Sequence, residues 1–426
     1  MADKELFVYM DGVRAGTIRQ TPQRNTTFSY DDQYRHGPDA TPLSVSMPLT
    51  QERHLSRVTV PFLQGLLPDN GARLARLATE YQTSTNPFAL LTHVGRDAAG
   101  AIQLLLPGVD AGDADDAAVR HGDVERLSDD DFSDLIRNIV ENPDTWGMRS
   151  APEGRWTLPG TKPKIALFQF PDGAWGIPRD STPTTHIIKP AIYPYGDNGV
   201  NEHVTMGAAK RLGLEVADHS ILTTAAGDHV FISPRYDRAK IKGRWHRLHQ
   251  EDLCQALSVT PAKKYESDGG PGIEQIAVVL RDSIADLTER RRAQEHFFGA
   301  LVFTIFSGST EAHAKNYALL LRGRSVNFAP LYDLGTTAPY PSLTPLKSAM
   351  KFGSEYRISA IGMKDLLVVA RRLSLDSSWA AQRVIEIGNG LVKAFADAAE
   401  GVANPFAPKI VQAISTLAGQ RGLPTH

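Results

Sequence analysis

Cysteine is nearly absent from this chain of 426 residues, which has only Cys254. A lone cysteine cannot form a disulfide within the chain, and a metal site built from several thiolates is excluded. Cys254 lies in the apolar pattern of residues 253–257, a position more typical of a buried helix thiol than of a reactive one.

Long apolar runs are absent too. No stretch approaches the ~20 apolar residues of a membrane-spanning helix. Residues 1–5 lack the cationic and apolar pattern of a secretory signal. The net charge is only -2, so the chain as a whole gives no reason to expect autonomous binding to nucleic acid or to an anionic membrane. We therefore expect a cytoplasmic protein without membrane contacts.

Three common enzyme signatures are missing. The chain has no H-E-x-x-H zinc helix, no G-x-S-x-G turn and no G-x-x-x-x-G-K-[ST] loop. These absences argue against a zinc protease, an α/β-hydrolase and a P-loop nucleotidase.

The chain length predicts two or three domains. Residues 1–107 are typical of a small α+β domain, beginning with a hairpin whose turn is Asp11-Gly12. The other elements predicted in this domain are strands at 27–30 and 43–46 and helices at 61–67 and 71–81.

The remaining sequence predicts two further parts. Residues 108–236 begin with a linker rich in Gly, Ala and Asp (108–123) and continue as a β-rich lobe. A helix is expected after the linker, because Ser128 and Asp131 have the spacing of a capping box. Residues 237–426 predict a helical lobe, whose first helix is expected at 250–257.

The polar residues with the strongest chemical pattern are Glu311, Asn316 and Asp333, the last followed at two positions by Gly335. Phosphoryl transfer requires an acid that orients and deprotonates the attacking hydroxyl, and an Asn and an Asp that hold magnesium. The spacing matches the D-x-x-x-x-N and D-x-G pattern of kinase loops, except that the first acid is Glu. The alternative is a solvated loop followed by a turn.

Two other segments fit a nucleotide site. The loop from Thr157 to Lys164 precedes a strand and contains Gly160 and Thr161, so its N–H groups can line phosphates, although a plain turn also fits. Lys164 and Lys189 lie on predicted strands and can reach phosphates. Residues 235–238 fit either an adenine-binding hinge or a charged salt bridge.

Several segments together resemble the HipA family of toxin serine/threonine kinases, and the resemblance covers almost the whole chain. Its carriers are THIIK at 185–189, NE at 201–202, RYDR at 235–238, LHQEDLCQAL at 248–257, KYE at 264–266, GGP at 269–271, HAKN at 313–316 and LYD at 331–333.

The resemblance implies an α+β, bilobal protein-kinase-like fold with an extra N-terminal subdomain, a β-rich N-lobe and an all-helical C-lobe. It implies an enzyme that uses ATP and Mg²⁺, the toxin of a type II toxin–antitoxin pair. The implied partner is a small helix-turn-helix antitoxin (HipB-like), through which the kinase reaches DNA. The implied substrate is an aminoacyl-tRNA synthetase such as the glutamyl enzyme, whose phosphorylation inhibits translation and leads to persistence.

The resemblance also assigns roles to residues. Asn316 and Asp333 are the implied magnesium ligands, and Glu311 is the implied base beside His313 and Lys315. The implied ATP-binding residues are Thr157, Gly160, Thr161, Lys164, Lys189, Pro234, Tyr236 and Asp237. Thr157 stands where the family has a serine that phosphorylates itself.

Two departures from the family pattern have consequences. Thr157 keeps the hydroxyl on a stiffer, β-branched side chain. Glu311 replaces the family's Asp, and a misplacement on the order of 1 Å can cost about 10²-fold in rate. One hypothesis is therefore an active toxin kinase. The other is a weakened, kinase-shaped nucleotide-binding corepressor of a DNA-binding antitoxin, and a small-molecule kinase is a third.

Overall fold

The computed structural model describes residues 3–109, 124–143, 156–179, 182–191, 197–340 and 345–425. Most of the predicted linker, residues 110–123, lies outside these ranges. The chain forms two compact units. The first consists of Met1–Tyr193, Leu222–Ala262 and Leu319–Val326, and the second of Pro194–Ile221, Lys263–Ala318 and Asn327–His426. The domain boundaries at 107/108 and 236/237 stay predictions.

The first unit begins with the predicted hairpin. Asp11 and Gly12 have φ angles of 48° and 82°, which a tight two-residue turn between antiparallel strands requires. The five strands of this sheet are β1 (Lys4–Met10), β2 (Val13–Gln20), β3 (Thr26–Tyr30), β4 (Arg53–His54) and β5 (Ile102–Leu105), in the spatial order β4-β3-β2-β1-β5. The accompanying helices are α1 (Asp32–Arg35), α2 (Ser56–Gly65), α3 (Gly71–Glu80) and α4 (Pro87–Val94).

The strand predicted at 43–46 is wrong. The backbone N–H of Met47 donates to Ser44 O, and the N–H of Ser46 donates to the Ser44 hydroxyl, so the segment closes into a turn. Serine hydroxyls compete with strand ladders for backbone N–H groups in this way.

A second sheet in the first unit carries the predicted nucleotide-binding strands. Its members are β6 (Val124–Arg126), β7 (Ile165–Gln169), β8 (Trp175–Pro178), β9 (His186–Pro190), β10 (Ser220–Thr223) and β11 (His229–Pro234), in the order β10-β11-β9-β7-β8-β6. Helix α5 (Asp129–Glu141) packs on this sheet and begins at the predicted capping box, where Ser128 and Asp131 bond each other's backbone N–H groups.

The expectation that residues 237–426 are all helical is wrong in detail. The strands in this range are β12 (Arg238–Ile241), β13 (Arg244–Arg247), β14 (His249–Asp252), β15 (Ala318–Arg322), β16 (Ser325–Phe328), β17 (Lys347–Phe352) and β18 (Glu355–Arg357). The predicted helix at 250–257 shortens to α7 (Leu253–Ala256), because Asp252 caps it by accepting the N–H groups of Cys254 and Gln255. Cys254 is buried there, as predicted.

The second unit is mainly helical. Its helices are α6 (Asn198–Arg211), α8 (Ile273–Ser283), α9 (Leu287–Ser307), α10 (Met363–Arg372), α11 (Ser377–Ala399) and α12 (Phe406–Gln420). Helix α9 is buried along its C-terminal half, where Phe303 stacks on Phe395 of α11. It ends at Gly308, whose φ of 70° turns the chain into the polar loop that follows. Among the described residues, no helix has the length and apolarity needed to cross a bilayer.

Candidate functional site

The loop from Thr157 to Lys164 is docked within the first unit. Thr157 is buried, and its hydroxyl donates to the Leu66 carbonyl at 2.8 Å. Gly160 has a φ of 108°, a backbone conformation that residues with a side chain rarely adopt, so this position favours glycine. Thr161 is exposed. The backbone N–H of Asp69 donates to Gly160 O, which holds the loop beside the segment after α2.

Of the two predicted phosphate-binding lysines, Lys189 lies on β9 and Lys164 directly precedes β7. Strands β7 and β9 are antiparallel with Ile165 opposite Ile188, and the same register continued by one residue sets Lys164 opposite Lys189. Directly opposed side chains share a face, with Cβ atoms about 5 Å apart, and like charges there repel. The Lys164 Nζ donates to Pro159 O at 2.7 Å. Such a pair is suited to a shared anion.

The predicted hinge contributes its charged side chains to a buried ion network of the first unit, which we call the Asp97 network: Asp97, Arg235, Asp237, Arg238 and Arg247. Asp97 lies 2.8 Å from Arg238, 3.1 Å from Arg247 and 3.3 Å from Arg235. The other carboxylate of the network, Asp237, lies 2.8 Å from Arg235 and 3.2 Å from Arg238. Residues 235–238 were expected to form either an adenine-binding hinge or a charged salt bridge, and their charged side chains form the salt bridge.

The network holds its carboxylates in the charged form. Burial raises the pKa of Asp97, but the charges of Arg238, Arg235 and Arg247 outweigh burial and lower that pKa below its usual range. Burial likewise opposes the charge of Asp237, and Arg235 and Arg238 lower its pKa. Pro234 is exposed, and the Tyr236 hydroxyl donates to the Gln250 side chain. If this segment binds adenine, it therefore does so through its backbone groups and the faces of its rings.

The second unit contains the loop that the sequence predicts to be catalytic. Asn316 ends a short 3₁₀ turn (Ala314–Asn316), and its Nδ2 donates to the Glu311 carbonyl at 2.7 Å. The Tyr332 hydroxyl donates to the Lys315 carbonyl at 2.7 Å, which joins the residue before Asp333 to the residue before Asn316. His313 and Lys315 are buried in the loop.

Glu311 is the exposed member of the loop. Its side chain is 54% exposed, and its Oε2 accepts a hydrogen bond of 2.6 Å from the Tyr265 hydroxyl. The same oxygen lies 3.8 Å from the His313 Nε2. A carboxylate that is held and yet reachable from solvent can accept a proton from an incoming hydroxyl.

Asp333 has a φ of 54°, an uncommon conformation for a residue other than glycine and one that is frequent at functional sites. Asn201 of α6 fixes the chain just after it. The Asn201 Nδ2 donates to Thr336 O at 2.7 Å, and its Oδ1 accepts from Thr336 N at 3.0 Å. This clamp defines the path of residues 333–336.

The donor set of this loop fits magnesium. Carboxylate and amide oxygens are the hard ligands that Mg²⁺ prefers. Because the Asn316 Nδ2 is bonded to the Glu311 carbonyl, its Oδ1 faces the opposite side of the planar amide. Across the described ranges no group of three or more His, Cys, Asp or Glu residues forms a metal cluster, so a cation here needs the amide as well as Asp333.

Sequence reasoning missed three positions that shape these sites: Asp97, Asn201 and Tyr265. Asn201 and Tyr265 stood in segments that carry the family resemblance, but no role followed from their spacing. Asp97 stood in none of these segments, and only its long-range contacts identify it.

Comparison with known proteins gives matches over both units. The family models described as "HipA N-terminal domain" and "HipA-like C-terminal domain" match residues 6–105 and 156–399. A protein of Sinorhizobium fredii named "Putative kinase Y4mE" is 31% identical over 413 residues, covering 95% of this chain and 94% of its own length. The "Serine/threonine-protein kinase toxin HipA" of Shewanella oneidensis is 26% identical and covers 84% of this chain and 80% of its own length.

A solved structure shows the same fold. The complex of HipA, HipB and operator DNA from the Shewanella oneidensis toxin–antitoxin system matches with a TM-score of 0.81 and 22% identity. The match covers 98% of this chain and 96% of that chain. The predicted α+β, kinase-like fold class is confirmed.

Proposed function

This chain belongs to the HipA family, and from that premise we propose that it is a toxin kinase that transfers the γ-phosphate of ATP to serine or threonine of another protein. Kinase names among its relatives support phosphotransfer in general. The proposal adds the nucleotide, the magnesium ion and the residues that perform the reaction.

The observation that carries the proposal is the loop of the second unit. One hydrogen bond joins Asn316 to the Glu311 carbonyl, and another joins Tyr332 to the Lys315 carbonyl. The buried Asn316 and the left-handed conformation of Asp333 add support, because an acid, an amide and a second acid are the polar set that phosphoryl transfer requires. A solvated surface loop has no need of a buried Asn and a strained Asp.

The roles follow from the chemistry of each side chain. Asn316 and Asp333 are the proposed ligands of magnesium, which when bound neutralises phosphate charge. Glu311 orients the attacking hydroxyl and takes its proton. Lys189 and Lys164 bind phosphate oxygens as positive charges.

We extend the proposal to regulation at Thr157. Its hydroxyl is buried against Leu66 O, so transfer to it requires the loop from Thr157 to Lys164 to leave its dock. A phosphate on Thr157 adds nearly two negative charges and removes the buried bond, so the loop cannot return to the same position. Modification therefore switches the kinase off.

The proposed partner and substrate follow from the family. The partner is a HipB-like helix-turn-helix antitoxin, as named in the matching complex, and it brings this chain to DNA. The proposed substrate is an aminoacyl-tRNA synthetase such as the glutamyl enzyme, with arrest of translation and persistence in the cytoplasm as consequences.

The direct test is phosphoproteomics of cell extract incubated with the purified chain, Mg²⁺ and ATP. New phosphoserines or phosphothreonines on a synthetase, together with phosphate on Thr157, are the expected result. The control omits Mg²⁺. A chain that binds nucleotide but labels neither itself nor any extract protein contradicts the proposal.

A second candidate function is a nucleotide-binding corepressor with weakened catalysis, and Glu311 is the observation that favours it. Its extra methylene shifts the carboxylate relative to the family's Asp, and such a shift can cost about 10²-fold in rate. Under this alternative, Glu311→Asp raises phosphotransfer by about two orders of magnitude. Under the kinase proposal, Glu311→Asp does not raise the rate of phosphotransfer.

A further inference from the structure

Tyr265 makes the hydrogen bond that fixes the Glu311 carboxylate. Its hydroxyl lies 2.6 Å from Oε2, within the range of a strong bond to a charged acceptor. The two residues are 46 positions apart in the sequence but belong to the same unit. The Tyr265 ring also packs its edge against His313, with ring centroids 4.9 Å apart at 88°. The hydroxyl therefore meets the base from one defined direction.

The turn that carries Tyr265 is tightly constrained. The backbone N–H groups of Asp268 and Gly270 both donate to Tyr265 O. A Cβ on Gly270 would lie 1.9 Å from Lys263 O, so no other residue fits this path without a backbone shift. Glu266, the next residue, accepts the backbone N–H of Lys351 at 2.6 Å and ties the turn to strand β17. The donor is therefore in place before any substrate arrives.

We propose that Tyr265 is a positioning residue that holds the Glu311 carboxylate for proton acceptance, and that this pairing is why a glutamate functions where the family has aspartate. The proposal rests on the proposed kinase function. Glutamate has one more rotatable bond than aspartate, which spreads its carboxylate over more positions. The tyrosine removes that freedom by binding Oε2, so the substrate hydroxyl gives its proton to Oε1.

A tyrosine suits this task better than a cation. A cation would stabilise the carboxylate against the proton that it must accept, and the neutral hydroxyl donates a hydrogen bond without adding a positive charge. An aspartate at position 311 is shorter by about 1.5 Å, one C–C bond. With the turn fixed, that shortening breaks the bond to Tyr265.

The test is a double-mutant cycle on the full-length chain with Tyr265→Phe and Glu311→Asp. Phosphotransfer is followed from γ-labelled ATP with Mg²⁺ to dephosphorylated casein, and nucleotide binding is followed with a fluorescent ADP analogue. Tyr265→Phe is expected to lower kcat about tenfold, the usual scale for one hydrogen bond to a charged group. The KM for ATP and the affinity for the ADP analogue stay unchanged, because Tyr265 acts on the base alone.

The coupling between the two sites separates positioning from structure. Glu311→Asp also lowers kcat, and adding Tyr265→Phe to it changes kcat less than about twofold, because the bond is already lost. Tyr356→Phe, which removes a hydroxyl from strand β18 of the same unit, serves as the matched control and keeps full activity. If Tyr265→Phe does not fold, Glu311→Asp alone decides, because a rise in kcat overturns the proposal.

The remaining outcomes are distinct. An active wild type with an unchanged Tyr265→Phe variant, or equal losses from Tyr265→Phe in the wild-type and Glu311→Asp backgrounds, overturns the positioning role and leaves the kinase function standing. A wild type that binds the ADP analogue but transfers no phosphate to casein or to itself overturns the proposed function and the positioning role with it.

Discussion

Two carboxylates, Asp97 in the first unit and Glu311 in the second, lie in opposite environments. Asp97 is buried and lies within 3.3 Å of three arginines. Glu311 is 54% exposed and is held by one neutral hydroxyl. A buried carboxylate surrounded by cations is fixed in its charged state and stabilises the unit. An exposed carboxylate with one neutral donor remains available for proton transfer.

The same contrast separates the cations. The arginines of the Asp97 network bond carboxylates and backbone carbonyls inside the unit. Lys189 on β9 instead stands opposite Lys164, the residue that precedes β7, so two like charges share one face. Mutual satisfaction of opposite charges indicates a structural role, and two like charges on one face fit the proposed phosphate site.

The largest expected effect comes from removing the carboxylate of Asp97. Asp97→Ala removes the carboxylate that lies within 3.3 Å of three buried guanidiniums, and breaking a buried ion pair in this way costs about 3–5 kcal/mol. Urea unfolding measures the loss. Asp282→Ala removes an exposed partner of Arg281 and serves as the control, with no resolvable change in the unfolding midpoint. An Asp97→Ala protein that is as stable as the control contradicts the structural role of Asp97 and its contrast with Glu311.

The next effect concerns the paired lysines. Lys189→Met is expected to weaken ATP binding by about ten- to a hundredfold, the scale of one lost bond to a charged phosphate. Adenosine binding stays unchanged because it has no phosphate. Lys240→Met, on strand β12 of the same unit, is the matched control. Isothermal titration of the wild type and the two variants with ATP and with adenosine measures these affinities. If Lys189→Met weakens the binding of both ligands equally, Lys189 does not bind phosphate.

The third effect, which accumulates gradually over several pH units, is a pH dependence of stability. Burial raises the pKa of Glu251 to about 8, against the opposing hydrogen bonds from Ser44 and the Val45 N–H. The folded chain therefore binds a proton that the unfolded chain has lost between about pH 4.5 and pH 8. The stability from this group is complete below pH 4.5 and is lost as the pH rises toward 8.

A substitution isolates that group. Glu251→Gln is expected to flatten the decline in unfolding free energy, whose slope is at most about 1.4 kcal/mol per pH unit. Glu400→Gln, at an exposed helix end, is the control and keeps the wild-type slope. Urea midpoints measured from pH 5 to pH 8 provide the check, and an unchanged slope in Glu251→Gln contradicts the assignment.

Local patterns in the sequence were sufficient for features whose causes are local. The Asp11-Gly12 turn, the Ser128–Asp131 capping box and the buried thiol of Cys254 are confirmed, because each depends on neighbouring residues. The strand at 43–46 and the helix at 250–257 were misread. Short apolar runs fit the helical period and the strand period equally well, and hydrogen bonds from serine and aspartate side chains then determined the backbone conformation.

The candidate site divides in the same way. The spacing of Glu311, Asn316 and Asp333 indicated kinase chemistry. Glu311 and Asn316 are close in sequence, and the paired strands β15 and β16 lie between Asn316 and Asp333. The contacts of Tyr265 with Glu311 and of Asp97 with residues 235–247 join positions 46 to 150 apart. No periodicity in one sequence encodes such pairs, so only the fold reveals them.

The most direct measurement of the central claim combines two readouts on Glu311→Gln, the rate of γ-phosphate transfer and the free energy of unfolding. If Glu311 is the base, kcat falls by about 10²- to 10⁴-fold, the usual contribution of a general base. The unfolding free energy and the affinity for the ADP analogue remain those of the wild type, because the carboxylate is exposed. A Glu311→Gln protein that retains its phosphotransfer rate, or that loses stability in proportion to activity, contradicts the claim.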